Sequence, residues 1–335
     1  MRLASLATAV PERSWSQTDC WTSLRGSSAL RHLKPRSQEL LEKVLLGNNG
    51  IERRHFATDS LEPIFTRTAQ DLSETYELHA PALGAKAARD AMERAGVTDV
   101  DALFVCTCTG FLCPGLSSHI AEKLGLSAQT YLMDHTGAGC GAAIPTLRAA
   151  SNYLAAHPGH RAAVVAVEIC SAAFYASDDP GVLISLCLFG DGAAAVILDS
   201  AEVSGPRFSH FNTVHLPAHR EKIRFVNREG KLANQLHRSV PEVAAEAVET
   251  LFPKETTTRR IISHAGGRDV LQAIRSRLPD QPLDEAAEVL RTRGNMSSPS
   301  VLHALEIALK KETSEPLWLV SFGAGFSCHG CQLDM

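Results

Sequence analysis

Thr136-Gly137-Ala138-Gly139-Cys140-Gly141-Ala142-Ala143 is a cysteine set among small residues between two readable elements. Before it, Tyr131-Leu132-Met133-Asp134 is a short apolar run of strand type. After it, Leu147, Ala150, Tyr153 and Leu154 recur at helical spacing until His157-Pro158-Gly159 stops the helix. The stretch therefore reads as a strand-to-helix turn that holds Cys140 at or near a helix N-terminus. Unpaired N–H groups and the helix dipole favour a thiolate there, and the glycines let a substrate carbonyl approach the sulfur. Pro145 lies inside the first two turns of the helix, where it removes a backbone donor.

The helix alone is insufficient. Lowering a thiol from about 8.5 to about 6 requires roughly 3.4 kcal/mol at about 1.36 kcal/mol per unit, whereas a helix terminus supplies at most about 2. A second group stands in Ser263-His264-Ala265-Gly266-Gly267, where Arg260-Ile261-Ile262 delivers a histidine to the end of a strand. A neutral imidazole can take the thiol proton, and the imidazolium then stabilises the thiolate. Gly294-Asn295-Met296-Ser297-Ser298 is another turn before a helix and offers an amide donor where charge would develop. Taken singly, each has a structural explanation as core cysteine, satisfied histidine or turn former. All three lie where a run or turn meets a helix, which favours chemistry.

The chain has 335 residues, enough for one large core or two fused domains, and its formal net charge is −4. Lacking a basic block, it implies neither nucleic acid nor an anionic membrane surface as partner. Met1-Arg2 precedes only a short mixed run ending at Pro11, which is not a signal peptide pattern, and no apolar run reaches about 18 residues. Nine cysteines, an odd number with several inside apolar runs, suggest a cytoplasmic protein. Cys328-His329-Gly330-Cys331 is a C-x-x-C without a second pair, so small-hydrophobe packing is expected there rather than metal.

Elsewhere the pattern predicts strands at Arg2–Ala9, Ala102–Thr107 and Arg161–Glu168, and helices around Gln38–Leu46, Leu83–Gly96 and His119–Leu124. Leu186–Phe189 and Ala193–Leu198 read as strand, tight turn and strand, with Asp191 as turn former. The second half predicts strands at Phe208–Leu216, Lys222–Val226, Arg260–Ile262 and Leu317–Phe322, and helices at Pro241–Leu251, Val270–Leu278 and Val301–Lys310. This is a layered α/β architecture. Gly139-Cys140, a helix and a strand are echoed by Gly294-Asn295, a helix and a strand, as in a duplicated unit with halves 1–200 and 201–335.

Gly139-Cys140-Gly141, Leu188-Phe189-Gly190-Asp191-Gly192, Ser263-His264-Ala265-Gly266-Gly267, Gly294-Asn295-Met296-Ser297-Ser298 and Phe322-Gly323-Ala324-Gly325 together resemble the type III polyketide synthases, the chalcone synthase-like branch of the thiolase fold. The resemblance runs from about Leu83 to the C-terminus. It implies a five-layered αβαβα core in two pseudo-symmetric halves, a homodimer, and a Cys140-His264-Asn295 site reached by thioesters. Cys140 would accept a starter acyl group, and His264 and Asn295 would stabilise the enolate formed when a malonyl unit loses carbon dioxide. No cofactor is implied beyond substrates carried on coenzyme A or an acyl carrier protein.

By the same resemblance Phe189 and Asn234 take the gatekeeper positions, the second no longer aromatic, and Cys113 is the residue that crosses a dimer interface. Cys108, Cys170, Ala172, Ala173 and Ser297 match pocket-lining positions. The segment Leu41–Arg54, where plant members hold coenzyme A phosphates, offers only Lys43 before Glu52-Arg53-Arg54. The alternatives are a ketoacyl-carrier-protein synthase III-like single condensation, acyl transfer or hydrolysis without decarboxylation, and a non-catalytic partner subunit. A more distant alternative is nicotinamide binding, because Gly137-Ala138-Gly139-Cys140-Gly141-Ala142 satisfies G-x-G-x-x-A.

Overall fold

A computed structural model describes residues 1–200, 205–253, 260–311 and 314–335. The N-terminal part runs β1 (Arg2–Ala9), β2 (Ser14–Ser16), α1 (Gln17–Gly26), α2 (Ser28–Arg31), α3 (Pro35–Leu46), β3 (Arg53–His55) and α4 (Ala69–Ala95). It continues through β4 (Ala102–Thr107), α5 (Leu116–Leu124), β5 (Tyr131–Thr136), α6 (Ala143–Ala156), β6 (Arg161–Glu168), α7 (Pro180–Leu188) and β7 (Gly192–Asp199). The second part is β8 (Arg207–His215), β9 (Ile223–Arg228), β10 (Lys231–Leu236), α8 (Val240–Leu251), β11 (Arg260–Ser263), α9 (Arg268–Arg277), α10 (Asp284–Arg293), α11 (Ser300–Leu309), β12 (Leu317–Gly323) and β13 (Ser327–Asp334).

Among the described residues, nine strands form one sheet in the order β11-β12-β13-β8-β1-β7-β6-β4-β5. The two parts meet through a single pairing, Arg2 with Arg207, so the sheet is two sheets joined at a seam. Each repeats one pattern outward from the seam. β1 runs antiparallel to β7, β7 antiparallel to β6, and β6 parallel to β4; likewise β8 is antiparallel to β13, β13 antiparallel to β12, and β12 parallel to β11.

Small and branched apolar residues fill both faces of β4, β6 and β7, as strands covered on both sides require. On one face of that sheet α4 and α5 pack through Ala87, Ala88, Ala91 and Ile120. On the other lie α6 and α11, whose Ile144, Leu147, Val301 and Leu305 pack in the same core as Ile262 and Leu319 of the second sheet. α6 touches strands of both sheets, and so does α11. Beyond the second sheet, α8 and α9 add Val243, Val248 and Ile274. The layers are therefore αβαβα, the thiolase fold, with two buried helices in the middle.

Several readings require correction. Leu186–Phe189 is not a strand: Pro180–Leu188 is a helix, capped by Asp179, and Phe189 leaves it extended. Its apolar residues lack helical periodicity because nearly every side is covered. Asp191 is more than a turn former. Buried, it accepts hydrogen bonds from Ala57 N–H and from the N–H and hydroxyl of Ser171, tying two loops together, and burial pushes its carboxyl up to about 6. The long helix α4 begins at Ala69, well before Leu83, and β10, α10 and β13 are additional elements. The boundary expected at residue 200 adjoins 201–204, outside the described residues.

Candidate active site

Cys140 sits in a single 3-10 turn, Gly139–Gly141, between β5 and α6. Gly139 has φ +59°, a left-handed conformation that favours glycine, and the turn is pressed against the end of β12. A Cβ on Gly323 would lie 2.9 Å from Cys140 N and 2.8 Å from Gly141 N, so the two strand-end segments touch backbone to backbone. Ser321 Oγ donates to Gly141 O at 3.0 Å and fixes the register. Pro145 is the third residue of α6, within its first turn.

The thiol is 8% exposed and lies 3.3 Å from Ser297 Oγ. Its acidity is opposite to the expectation of a stabilised thiolate. Burial pushes the Cys140 thiol up to about 11, and the Ser297 hydroxyl offsets only part of that. Desolvation is the largest cause, the turn being pressed against the end of β12 and the side chain packed in the apolar cluster of the N-terminal helices.

His264 follows β11. Its N–H donates to Val320 O, its carbonyl accepts from Gly266 N, and its ring stands edge-on to Phe322, 5.3 Å between centroids. Phe322 precedes Gly323, so one strand end contacts both the cysteine turn and the histidine. The imidazole is 1% exposed, its Nδ1 has no hydrogen-bond partner, and burial lowers its pKa to about 3. The ring is thus neutral, with two nitrogens able to exchange a proton.

Asn295 is not a helix cap: α11 begins only at Ser300. Asn295 N–H donates to Leu188 O and its carbonyl accepts from Gly190 N–H, which pairs the loop with Phe189. The side chain is oriented from both ends. Oδ1 accepts from Ser297 N at 2.8 Å, and Nδ2 donates to Gly266 O at 3.1 Å. One amide hydrogen is left over, and the second bond ties Asn295 to the turn behind His264.

Glu168 is the residue that the sequence reading missed, naming it only as the last residue of a predicted strand. Wholly buried, its Oε2 accepts from Cys108 N–H, Thr109 N–H and Thr109 Oγ1, and its Oε1 from Ser298 Oγ at 2.6 Å. It locks the 107–109 loop to the 297–298 loop. An acid closing an otherwise apolar strand was the available signal. Ser297, with φ +59°, also reaches Cys108 Sγ at 3.2 Å and Glu168 Oε1 at 3.3 Å.

A cavity of about 20 Å³ opens beside Ser297 and brings together Cys170, Ala173, Phe189 and Asn234. Phe225 and Leu232 of the β9–β10 hairpin also line it and were not foreseen. Asn234 is held by its amide, which donates to Ser185 Oγ at 2.9 Å. Cys108 meets Ser297 instead of the cavity, while Ala172 packs in the outer core with α4. Cys113 is exposed, next to Phe111, which is 78% exposed.

Arg54 does not face solvent: Nε donates to Gln17 Oε1, and Nη1 to Leu186 O and Phe189 O. It holds the end of α7 where a phosphate contact was conceivable. Cys328 and Cys331 are buried in the central core as thiols raised above their ordinary range. No described helix is long and apolar enough to cross a membrane.

Residues 17–254 match the FAE1/Type III polyketide synthase-like protein family, farther toward the N-terminus than the motifs alone suggest. The 3,5-dihydroxyphenylacetyl-CoA synthase of Amycolatopsis orientalis is 30% identical over 94% of this chain and 87% of its own. The 1,3,6,8-tetrahydroxynaphthalene synthase of Streptomyces peucetius subsp. caesius is 28% identical over 97% of this chain and 90% of its own. Among solved structures, PKS-I from the brown alga Ectocarpus siliculosus superposes with TM-score 0.90 at 22% identity, covering 100% of this chain and 98% of that one. The ketoacyl synthase III and dinucleotide alternatives gain nothing from these likenesses. The chain belongs to the FAE1/type III polyketide synthase-like family and is an acyltransferase of the thiolase fold.

Proposed function

We propose that Cys140 is the nucleophile of a decarboxylative condensation in which His264 is first general base and then, with Asn295, donor to an enolate. What supports this reading is one geometric fact: the end of β12 contacts both the cysteine turn and the histidine ring, while the loop after Asn295 reaches the sulfur and the turn behind His264.

A neutral imidazole suits both tasks. It takes the thiol proton as Cys140 Sγ attacks a thioester carbonyl, so that an Sγ–C bond forms, the donor's C–S bond breaks and the donor thiol leaves with the proton. A malonyl thioester then binds with its carbonyl toward the His264 and Asn295 N–H groups. Loss of carbon dioxide leaves electron density on that oxygen as an enolate, whose carbon attacks the acyl group on Cys140 and regenerates the thiolate. Because the site is buried, its preorganised donors act without reorganising water.

Substrates would be acyl and malonyl thioesters of coenzyme A or of a carrier protein, with no resident cofactor. We read the protein as a cytoplasmic homodimer whose Cys113 loop meets the partner, and the chain as halves 1–200 and 201–335. The small cavity, narrowed by Phe225 and Leu232, favours few extensions.

Intact mass after incubation with acyl and malonyl thioesters, on both carriers, tests the mechanism beside Cys140→Ala. The expected result is an adduct that disappears in the variant, with carbon dioxide released from malonyl thioester. Absence of an adduct from every donor would sink the covalent mechanism. An adduct without carbon dioxide release would leave plain acyl transfer.

A further inference from the structure

Arg54 is 1% exposed, and among the described residues none of its hydrogen bonds goes to a carboxylate. Its partners gather at the end of α7. Nη1 donates to Leu186 O at 2.7 Å and to Phe189 O at 2.8 Å, Nε donates to Gln17 Oε1 at 3.0 Å, and Gln17 Nε2 in turn donates to Cys187 O at 2.9 Å. A helix C-terminus favours a cation, so the guanidinium and Gln17 together satisfy carbonyls that the helix leaves open. Burying a cation without a counter-charge is nevertheless costly. What the planar guanidinium adds over an apolar side chain is direction, since its donors point along fixed lines.

Those lines end on the loop that carries the amide donor. Phe189 lies inside a two-bond bridge, in which Asn295 N–H donates to Leu188 O and Gly190 N–H donates to Asn295 O, both at 2.9 Å. The Arg54 stem touches both strands of that bridge. A Cβ on Gly294 would meet Arg54 Cγ at 2.8 Å and Cδ at 2.9 Å, and one on Gly190 would meet Arg54 Cβ at 3.5 Å. From Asn295 the contacts continue through Nδ2 to Gly266 O, in the turn behind His264. The cysteine turn is fixed from elsewhere, by Ser321 and Gly323 at the end of β12. Among the described residues, Arg54 makes no hydrogen bond to Cys140, His264 or the Asn295 carboxamide.

We infer that Arg54 is a positioning residue for one half of the reaction: through Phe189, Gly190 and Gly294 it sets the Asn295 carboxamide against the His264 turn for the enolate, and it has little part in acyl loading on Cys140. Gln17 orients the guanidinium. This inference rests on Asn295 being the enolate donor.

The test compares two rates on one preparation, carbon dioxide release from malonyl-coenzyme A and Cys140 loading from acetyl-coenzyme A, in wild type, Arg54→Lys, Arg54→Met and Gln17→Leu. Both Arg54 variants keep an unbranched stem beside Gly294, but Met has no donor and Lys has a single nitrogen. For Arg54→Met, kcat for decarboxylation is expected to fall by up to about 10²-fold, as for a 1 Å misplacement, with malonyl KM and acetyl loading little changed. Arg54→Lys is expected to restore part of that loss, and Gln17→Leu to show a smaller loss of the same kind. Should the Arg54 variants fail to fold, Gln17→Leu alone carries the comparison. Equal loss of both rates in step with a lowered melting temperature would overturn the inference and leave Arg54 a purely structural residue, as would decarboxylation that no variant alters. If Asn295→Asp leaves carbon dioxide release intact, the enolate-donor reading fails and this inference with it.

Discussion

Gly139-Cys140-Gly141 and Gly294-Asn295-Met296 each lead into one of the two helices of the middle layer, at matching places in two similarly ordered sheets. Their resemblance ends with the backbone plan. The first turn is tight: Cys140 lies three residues before α6, and its sulfur is left to one hydroxyl. The second is longer, and its carboxamide is bonded at both ends before any substrate arrives. A nucleophile must be free to form a bond, while an enolate donor works best when fixed. The pseudo-symmetric fold supplies two equivalent positions, and the local bonding suits them to the different roles proposed for them.

The strongest way to break this comparison is to remove the donor and keep the shape. Asn295→Asp retains the acceptor for Ser297 N–H but, when ionised, can donate to neither Gly266 O nor an enolate. Malonyl decarboxylation is expected to fall about 10²–10³-fold, as for loss of one preorganised oxyanion donor, while acyl loading on Cys140 falls much less. Radiolabelled carbon dioxide release and intact mass, measured on one preparation, separate the two steps. Equal loss of both would mean that the two turns do not divide the work as described.

A smaller effect is expected where the first turn meets the second half. Gly323→Ala would place a methyl within 2.9 Å of Cys140 N, against backbone that cannot rotate away. Overpacking of this kind typically costs about 1–3 kcal/mol. A lower melting temperature with slowed acylation is the expected pair of results. Unchanged stability would show that the cysteine turn has slack, contrary to the tightness that distinguishes it from the asparagine turn.

The segments around Cys140 and His264 were legible because each joins strong neighbouring patterns: strand then periodic helix around Cys140, apolar strand then glycines around His264. What escaped has a common cause, which is that burial hid or erased the local signal. α7 reads as a strand because Leu183, Leu186 and Cys187 are covered on several sides, so no polar face marks the helical period. β13 was invisible because His329 and Gln332 interrupt it, although both side chains have partners once folded, Thr213 and Asp334 respectively. Glu168 and Arg54 look like surface charges in a linear string. Only the fold reveals that their hydrogen bonds are internal. The burial that raises the thiol's pKa escaped for the same reason, since the sequence displays a helix terminus but not the apolar cluster of the N-terminal helices in which Cys140 packs.

The smallest expected effect concerns the hydroxyl that links the two turns. With Cys140 near 11, the thiolate fraction grows about ten-fold per pH unit across neutral pH, so alkylation by neutral iodoacetamide should rise with a logarithmic slope of about one from pH 7 to 9. The Ser297 hydroxyl lowers the thiol's pKa by bonding Sγ, so Ser297→Ala raises it further. At a fixed pH in this range, the rate is then expected to fall by about two- to ten-fold, the equivalent of one hydrogen bond of about 0.5–1.5 kcal/mol, with the slope unchanged. A wild-type plateau already reached near pH 7 would reverse the argument. It would mean that proton transfer to His264 overcomes desolvation even without substrate, and that the cysteine turn, like the asparagine turn, is set in its reactive state before the substrate binds.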